Sequence, residues 1–234
     1  MTKIEPIEKG NFYHIYNHGV GGRNLFCEDA NYKYFLLLYD KYISPIADSY
    51  AWVLMKNHFH LLVRIRENVV YKYSKADKSF DKECNSANAV RFEEVKWKTT
   101  DLSACEAPDS VKDHKIPKPE NHFSHFFNAY TKTLNKQLQT RGTLFERPFK
   151  RKQIQDEEYL RQVILYIHNN PLHHGFCKHP SEYTWSSYLT CIGEKPTKLK
   201  RKQVMEWFGD KTNFEYMHNL KIDTIAMERW LELE

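Results

Sequence analysis

The sequence predicts an α+β fold in which helices pack on an antiparallel sheet. Three observations predict it. Segments alternating between apolar and polar residues recur at strand spacing, segments with apolar stripes recur at helical spacing, and the two kinds follow one another in the order β, α, β, β, α, β, α. That order suits one sheet covered by helices better than a parallel doubly wound sheet.

Asn11-Phe-Tyr-His-Ile-Tyr-Asn17 alternates and is rich in aromatics, so it reads as the first strand. His18-Gly-Val-Gly-Gly22 follows as a loop. Glu28 and Asp29 open a helix that carries Tyr32, Phe35, Leu36 and Tyr39 at helical spacing and stops near Ser44-Pro45. Ser49 to Met55 and His58 to Ile65 read as two strands joined by the turn at Lys56-Asn57. Residues 67–120 are charged, poor in periodicity and proline-rich near Ile116-Pro-Lys-Pro119, which reads as a long insertion or flexible loop.

A second helix is expected from about Ser124 to Leu138, with Phe123, Phe126, Phe127, Tyr130, Leu134 and Leu138 along one side. After Thr140-Arg-Gly142, the run Thr143 to Ile154 reads as extended. Asp156-Glu-Glu158 caps a third helix running to about Asn170, ended by Pro171 and Gly175. Residues 1–190 are expected to form one catalytic-type domain around the insertion, and 191–234 a basic C-terminal extension.

The chain has 234 residues, enough to bury a core as one domain. No apolar run reaches membrane-spanning length, and the N-terminus lacks an apolar secretion segment, so no membrane association and a cytoplasmic location are expected. Cys27, Cys84, Cys105, Cys177 and Cys191 are odd in number and widely spaced, which argues against a zinc ribbon or a disulfide framework. A net charge of +5 tilts towards a polyanionic partner.

His58 and His60 lie two apart on an expected strand, so both imidazoles leave the same face while Phe59 enters the core. Neighbours on one strand face are roughly 6.5–7 Å apart, and two imidazoles can close that gap on one cation. An HxH taken alone is more often a pair of half-buried strand histidines, and two imidazoles need a third ligand. On the third helix, Leu160, Val163, Ile164 and Ile167 form the buried stripe. Tyr166 and Asn170 are i,i+4 partners on its flank. By pattern alone Tyr166 is a rim residue and Asn170 a cap. Tyr130 is the rival tyrosine, but it sits inside an apolar stripe that favours a core role.

Asn57-His-Phe-His-Leu-Leu-Val63, then Arg141-Gly-Thr-Leu-Phe-Glu-Arg147, then Tyr166-Ile-His-Asn-Asn-Pro171 with His174-Gly175, resembles the single-tyrosine HUH transposase family. Tyr13-His-Ile-Tyr-Asn17 and Trp185-Ser-Ser-Tyr188 bring it nearest to the REP-associated tyrosine transposases. The resemblance covers residues 10–66 and 121–190. It implies a ferredoxin-like antiparallel sheet, the HUH endonuclease fold. It implies His58, His60 and Asn170 as ligands of Mg²⁺ or Mn²⁺, and Tyr166 as the nucleophile. It further implies a 5′-phosphotyrosine intermediate and a DNA hairpin with adjacent single strand as substrate. The sequence departs from the family in its long insertion, in His18 where many relatives carry Arg, and in Asn170 where many carry Gln.

Arg147, Lys150, Arg151 and Lys152 are expected to track DNA phosphates, and Lys198, Lys200, Arg201 and Lys202 form a second basic cluster. A solvated surface is the plain alternative for both. His168, two residues beyond Tyr166, points elsewhere on its helix. The competing readings are a hairpin-DNA-binding protein that has lost transposition, a replication initiator or relaxase, and a structural zinc protein. Relatives include homodimers that assemble sites in trans and monomers that act in cis, and the REP-associated features lean towards the monomer.

Overall fold

The structure, a computed structural model, describes residues 6–72, 96–99, 115–220, 227 and 229–230. Its strands are β1 (Phe12–His18), β2 (Ala47–Met55), β3 (His58–Ile65), β4 (Val69–Lys72), β5 (Lys96–Thr99) and β6 (Lys150–Ile154). Its helices are α1 (Asp29–Tyr42), α2 (Pro119–Gln137), α3 (Glu157–His173), α4 (Tyr188–Ile192), α5 (Arg201–Phe208) and α6 (Lys211–Asn219).

The main sheet has the order β2-β3-β1-β6, with every neighbouring pair antiparallel. The chain leaves β1, passes through α1 and returns as β2, leaving a gap that β3 fills. This is the split βαβ arrangement of a ferredoxin-like sheet. The alternation of the strands then separates two cores. Tyr13, Ile15, Leu54, Phe59, Leu61, Val63 and Ile65 face α1 and α2. Ala51, Val53, Met55, Leu62 and Ile154 face α3 and the helices after it. A bulge between Ser49 and Ala51 lets Tyr50 join Ala51 on this second face.

The described part of the C-terminal region packs on that second face, where Val204, Phe208 and Phe214 are buried. The Trp185–Ser187 segment extends the sheet at the β2 edge. Leu54 N donates to Trp185 O at 2.9 Å and Ser187 N to Trp52 O at 2.9 Å. Trp185 stacks on Tyr32 at 4.5 Å, which explains the aromatic in that motif as packing.

Several boundaries differ from the sequence expectation. Helix α2 starts at Pro119 because proline suits the first helical position, and its first turns already bury His122 and Phe123. Helix α3 continues through Pro171 to His173 and ends in a Schellman turn, with Phe176 N bonded to Pro171 O and Gly175 N to Leu172 O. Gly175 supplies the required positive φ of 73°. The expected extended run 143–154 forms β6 plus an isolated bridge, Gly19 to Phe145. Inside the 67–120 stretch, β4 and β5 pair antiparallel as a separate sheet. The charged run from Lys75 to Lys82, and Cys84 and Cys105, lie outside the described residues.

Candidate active site

The second face of the sheet carries the histidines. Pairing places His60 opposite Tyr16, and His58 opposite His18. Directly opposed residues share a face, so His14, Tyr16, His18, His58 and His60 all project towards α3. Gly19 follows this row, at a position where a β-carbon would clash with Arg23 O.

Helix α3 brings Tyr166 and Asn170 onto that face. His58 Nε2 lies 3.0 Å from Asn170 Oδ1, and Asn170 Nδ2 lies 3.4 Å from His60 Nε2. The Tyr166 ring meets His60 edge to face at 5.3 Å and His14 at 6.3 Å. The structure therefore brings all four residues singled out for catalysis and metal binding into one cluster. Tyr166 is 2% exposed and Asn170 1%, deeper than the rim position their helical phase implied. The phase was read relative to one buried stripe, whereas α3 is buried from Val163 to Pro171 on every side.

Burial dominates the electrostatics. It lowers the His58 pKa to about 4 and His60 well below the ordinary value. It lowers His14 to about 3 and also depresses His18. At neutral pH these rings are uncharged and offer lone pairs. His58 has a proton conflict. Its Nδ1 faces Asn57 Oδ1 at 2.8 Å while its Nε2 faces Asn170 Oδ1 at 3.0 Å. A neutral imidazole carries one N–H, so both oxygens cannot be satisfied by protons.

A cation between Nε2 and the Asn170 oxygen would resolve this conflict. With Nδ1–H donated to Asn57, the His58 Nε2 lone pair, the His60 Nε2 lone pair and the Asn170 amide oxygen form one donor set. Among the described residues, no group of three or more His, Cys, Asp or Glu side chains is placed to hold a metal. The amide oxygen of Asn170, 3.0 Å from His58 Nε2, could serve as a third donor. Two neutral imidazoles and an amide oxygen are a donor set that a divalent cation could accept.

The mouth of the cluster is formed by two further imidazoles, His18 stacked on His58 at 4.9 Å and His174 tilted against it at 4.9 Å. The basic quartet divides. Lys150 and Lys152 pair opposite Tyr16 and His14 and share the site face, with the Lys150 ammonium 5.8 Å from the Tyr16 ring. Arg151 lies over Phe149, on the α1–α2 side. Arg147 reaches Asn128 at 3.5 Å. The period of β6 puts Lys150 and Lys152 on the site face and Arg151 on the other, while Arg147 precedes the strand.

Tyr130 belongs to the opposite core. Its hydroxyl donates to Leu25 O at 2.6 Å, and burial pushes its pKa up. His168 turns away from the site, with Nδ1 2.9 Å from His218 Nε2 and Nε2 2.8 Å from Ser187 Oγ. Sequence reasoning missed His14, Asn57 and Asn169. The signal for His14 was its alternation with Tyr13 and Ile15, useful only once β1 is known to pair with β3.

No protein-family model matches the chain, and no curated protein is found similar to it. A solved structure of a REP-associated tyrosine transposase bound to a REP hairpin aligns with 82% of this chain and 86% of that one, at 12% identity and a TM-score of 0.51. The two share a fold. No described helix is long and apolar enough to cross a membrane.

Proposed function

We propose that the chain is a metal-dependent HUH-type transposase that cuts and rejoins single-stranded DNA next to a hairpin. One observation carries the reading: His58, His60 and the Asn170 amide converge within hydrogen-bonding distance, with the Tyr166 ring against His60. The fold shared with a transposase bound to a REP hairpin supports hairpin DNA as the substrate class.

His58 and His60 through Nε2, and Asn170 through Oδ1, would hold Mg²⁺ or Mn²⁺. Such an ion supplies Lewis-acid charge to a non-bridging oxygen of the scissile phosphate. Tyr166 would lose its phenolic proton and attack phosphorus in line. The new O–P bond forms as the P–O3′ bond breaks, and the departing oxygen takes a proton to become a 3′-OH. The phosphotyrosine conserves the bond energy, so a second 3′-OH can reverse the step and join a new strand. Asn57 holds the His58 ring by its Nδ1. Lys150 and Lys152 would carry the strand along the β6 edge towards Tyr16. With Tyr166 2% exposed, entry of a phosphodiester requires movement of the ring or of its cover.

That burial also favours a second reading, a hairpin-binding protein that does not cleave. One experiment separates them. Labelled hairpin DNA with a single-stranded flank is incubated with Mn²⁺ or Mg²⁺ and resolved under denaturing conditions. A protein–DNA adduct that disappears in Tyr166→Phe supports the transposase. Tight hairpin binding with no adduct supports the binder.

A further inference from the structure

His14 is completely buried and bonded to a proposed metal ligand, yet it touches none of the donor atoms. Its Nε2 lies 3.0 Å from His60 Nδ1. The two ring planes differ by 9° and their centroids are 5.1 Å apart. A 3.0 Å N···N contact plus two ring radii accounts for that separation, so the rings meet edge to edge in nearly one plane. This is a directed hydrogen bond.

The direction of that bond follows from proton counting. His60 Nε2 faces Asn170 Nδ2, an amide donor, at 3.4 Å. Nε2 therefore accepts, and the single proton of neutral His60 sits on Nδ1. It is donated to His14 Nε2, which leaves the proton of His14 on its own Nδ1. That atom has no hydrogen-bond partner. The reverse arrangement sets N–H against N–H at Asn170 and removes the lone pair that a cation needs. A buried donor left without a partner destabilises the fold.

We propose that His14 is a positioning residue for the metal site, accepting the Nδ1–H of His60 so that the Nε2 lone pair of His60 is held towards Asn170. The use of this arrangement rests on the function proposed above, while the tautomer itself does not. On this basis the first strand is part of the site: its YHIY run supplies His14 to orient a ligand carried by β3.

Two readouts test it: Mn²⁺ affinity by titration calorimetry or EPR, and the His60 tautomer by ¹⁵N NMR on metal-free protein. In wild type, His60 is expected in the Nδ1–H form. His14→Phe, which keeps the ring volume but removes the acceptor, should weaken Mn²⁺ binding roughly 10- to 100-fold and shift His60 towards Nε2–H. His14→Gln, which restores an acceptor, should recover part of both. Unchanged affinity and tautomer in a folded His14→Phe protein, with His60→Ala abolishing binding, overturns the role of His14 and leaves the metal site standing. If wild type does not bind Mn²⁺ at all, the metal reading falls, and the tautomer shift alone decides for or against His14. Should His14→Phe fail to fold, an Nε2–H form of His60 in the wild-type spectrum overturns the proposal.

Discussion

His58 Nε2 and Asn170 Oδ1 face each other at 3.0 Å across the seam between β3 and α3, while the other nitrogen of the same ring already faces Asn57 Oδ1. Two acceptors in contact around a ring held neutral by burial repel unless something positive lies between them. Added Mn²⁺ should therefore stabilise the protein. At a hundredfold excess over the dissociation constant the linkage is about 2.7 kcal/mol, or roughly 5–10 °C in melting temperature for a chain of this size. Thermal melts with and without Mn²⁺ measure it. Asn170→Leu should remove the shift and Asn170→Asp should enlarge it. An equal shift in all three proteins places the ion elsewhere.

Tyr166→Phe and Tyr130→Phe should separate cleanly. Tyr166 lies against His60, so its loss should abolish the covalent adduct and leave hairpin affinity within about twofold, since the ring is retained. Tyr130 instead donates to Leu25 O in the opposite core. Removing that hydroxyl should cost about 1–3 kcal/mol of stability by leaving a buried carbonyl unpaired, with adduct formation retained below the melting point. A Tyr130→Phe protein that is stable but unable to form the adduct would reverse the assignment.

Much of this was legible in the sequence, and the parts that were not have a common physical cause. Strand period identified the shared face of His58 and His60, and helical phase joined Tyr166 to Asn170. The ferredoxin-like order emerged as the motifs implied. Long-range partners were hidden. That His14 bonds His60 depends on β1 pairing with β3, a contact 46 residues apart that no local pattern encodes. The burial of Tyr166 comes from the packing of its ring on His60 and His14 of the sheet, a contact that the apolar stripe of the helix does not report. The basic run from Arg147 to Lys152 looked like one cluster because side-chain direction on β6 becomes informative only once its register is known.

Acid should unfold the protein well above the carboxylate range. Burial lowers His14 to about 3, and His58, His122 and His218 to about 4, with His60 and His168 well below the ordinary value. In the unfolded chain each ring takes up a proton near pH 6.5. The native state does not, so the unfolded state binds more protons as pH falls. Stability is then full above pH 6.5 and is lost as pH falls from there, down to about pH 4 for His58, His122 and His218 and about pH 3 for His14. A ring lowered from 6.5 to about 4 contributes on the order of 3 kcal/mol to that loss. Urea midpoints at pH 7.5 and pH 5 read it, with a fall expected at the lower pH. His122→Phe, on the face away from the site, should flatten the slope by about one proton. A pH-independent midpoint would mean the rings are not held neutral.

Asn169 is 2% exposed and both polar atoms of its amide lack a hydrogen-bond partner, although it lies one turn from Tyr166. An orphaned amide on the flank of the proposed nucleophile is expected to serve a ligand rather than the fold. Asn169→Leu, similar in volume, should raise stability by about 1–3 kcal/mol while reducing the rate of adduct formation at least tenfold. Urea unfolding and single-turnover cleavage measure the two effects. A loss of stability would show that the amide is satisfied in solution.

The split of the basic quartet predicts a split in salt dependence. Lys150 and Lys152 share the face of His60 and His14, whereas Arg151 packs over Phe149 on the other side of the sheet. Each phosphate contact to a single strand adds about 0.7 to the slope of log affinity against log salt. Lys150→Ala with Lys152→Ala should therefore lower the slope by roughly 1.4 for a hairpin with a single-stranded flank. Arg151→Ala should leave the slope unchanged. If Arg151 lowers the slope as much as either lysine, the strand crosses the β6 edge instead of following the site face, and the approach to Tyr166 would have to be redrawn from that edge.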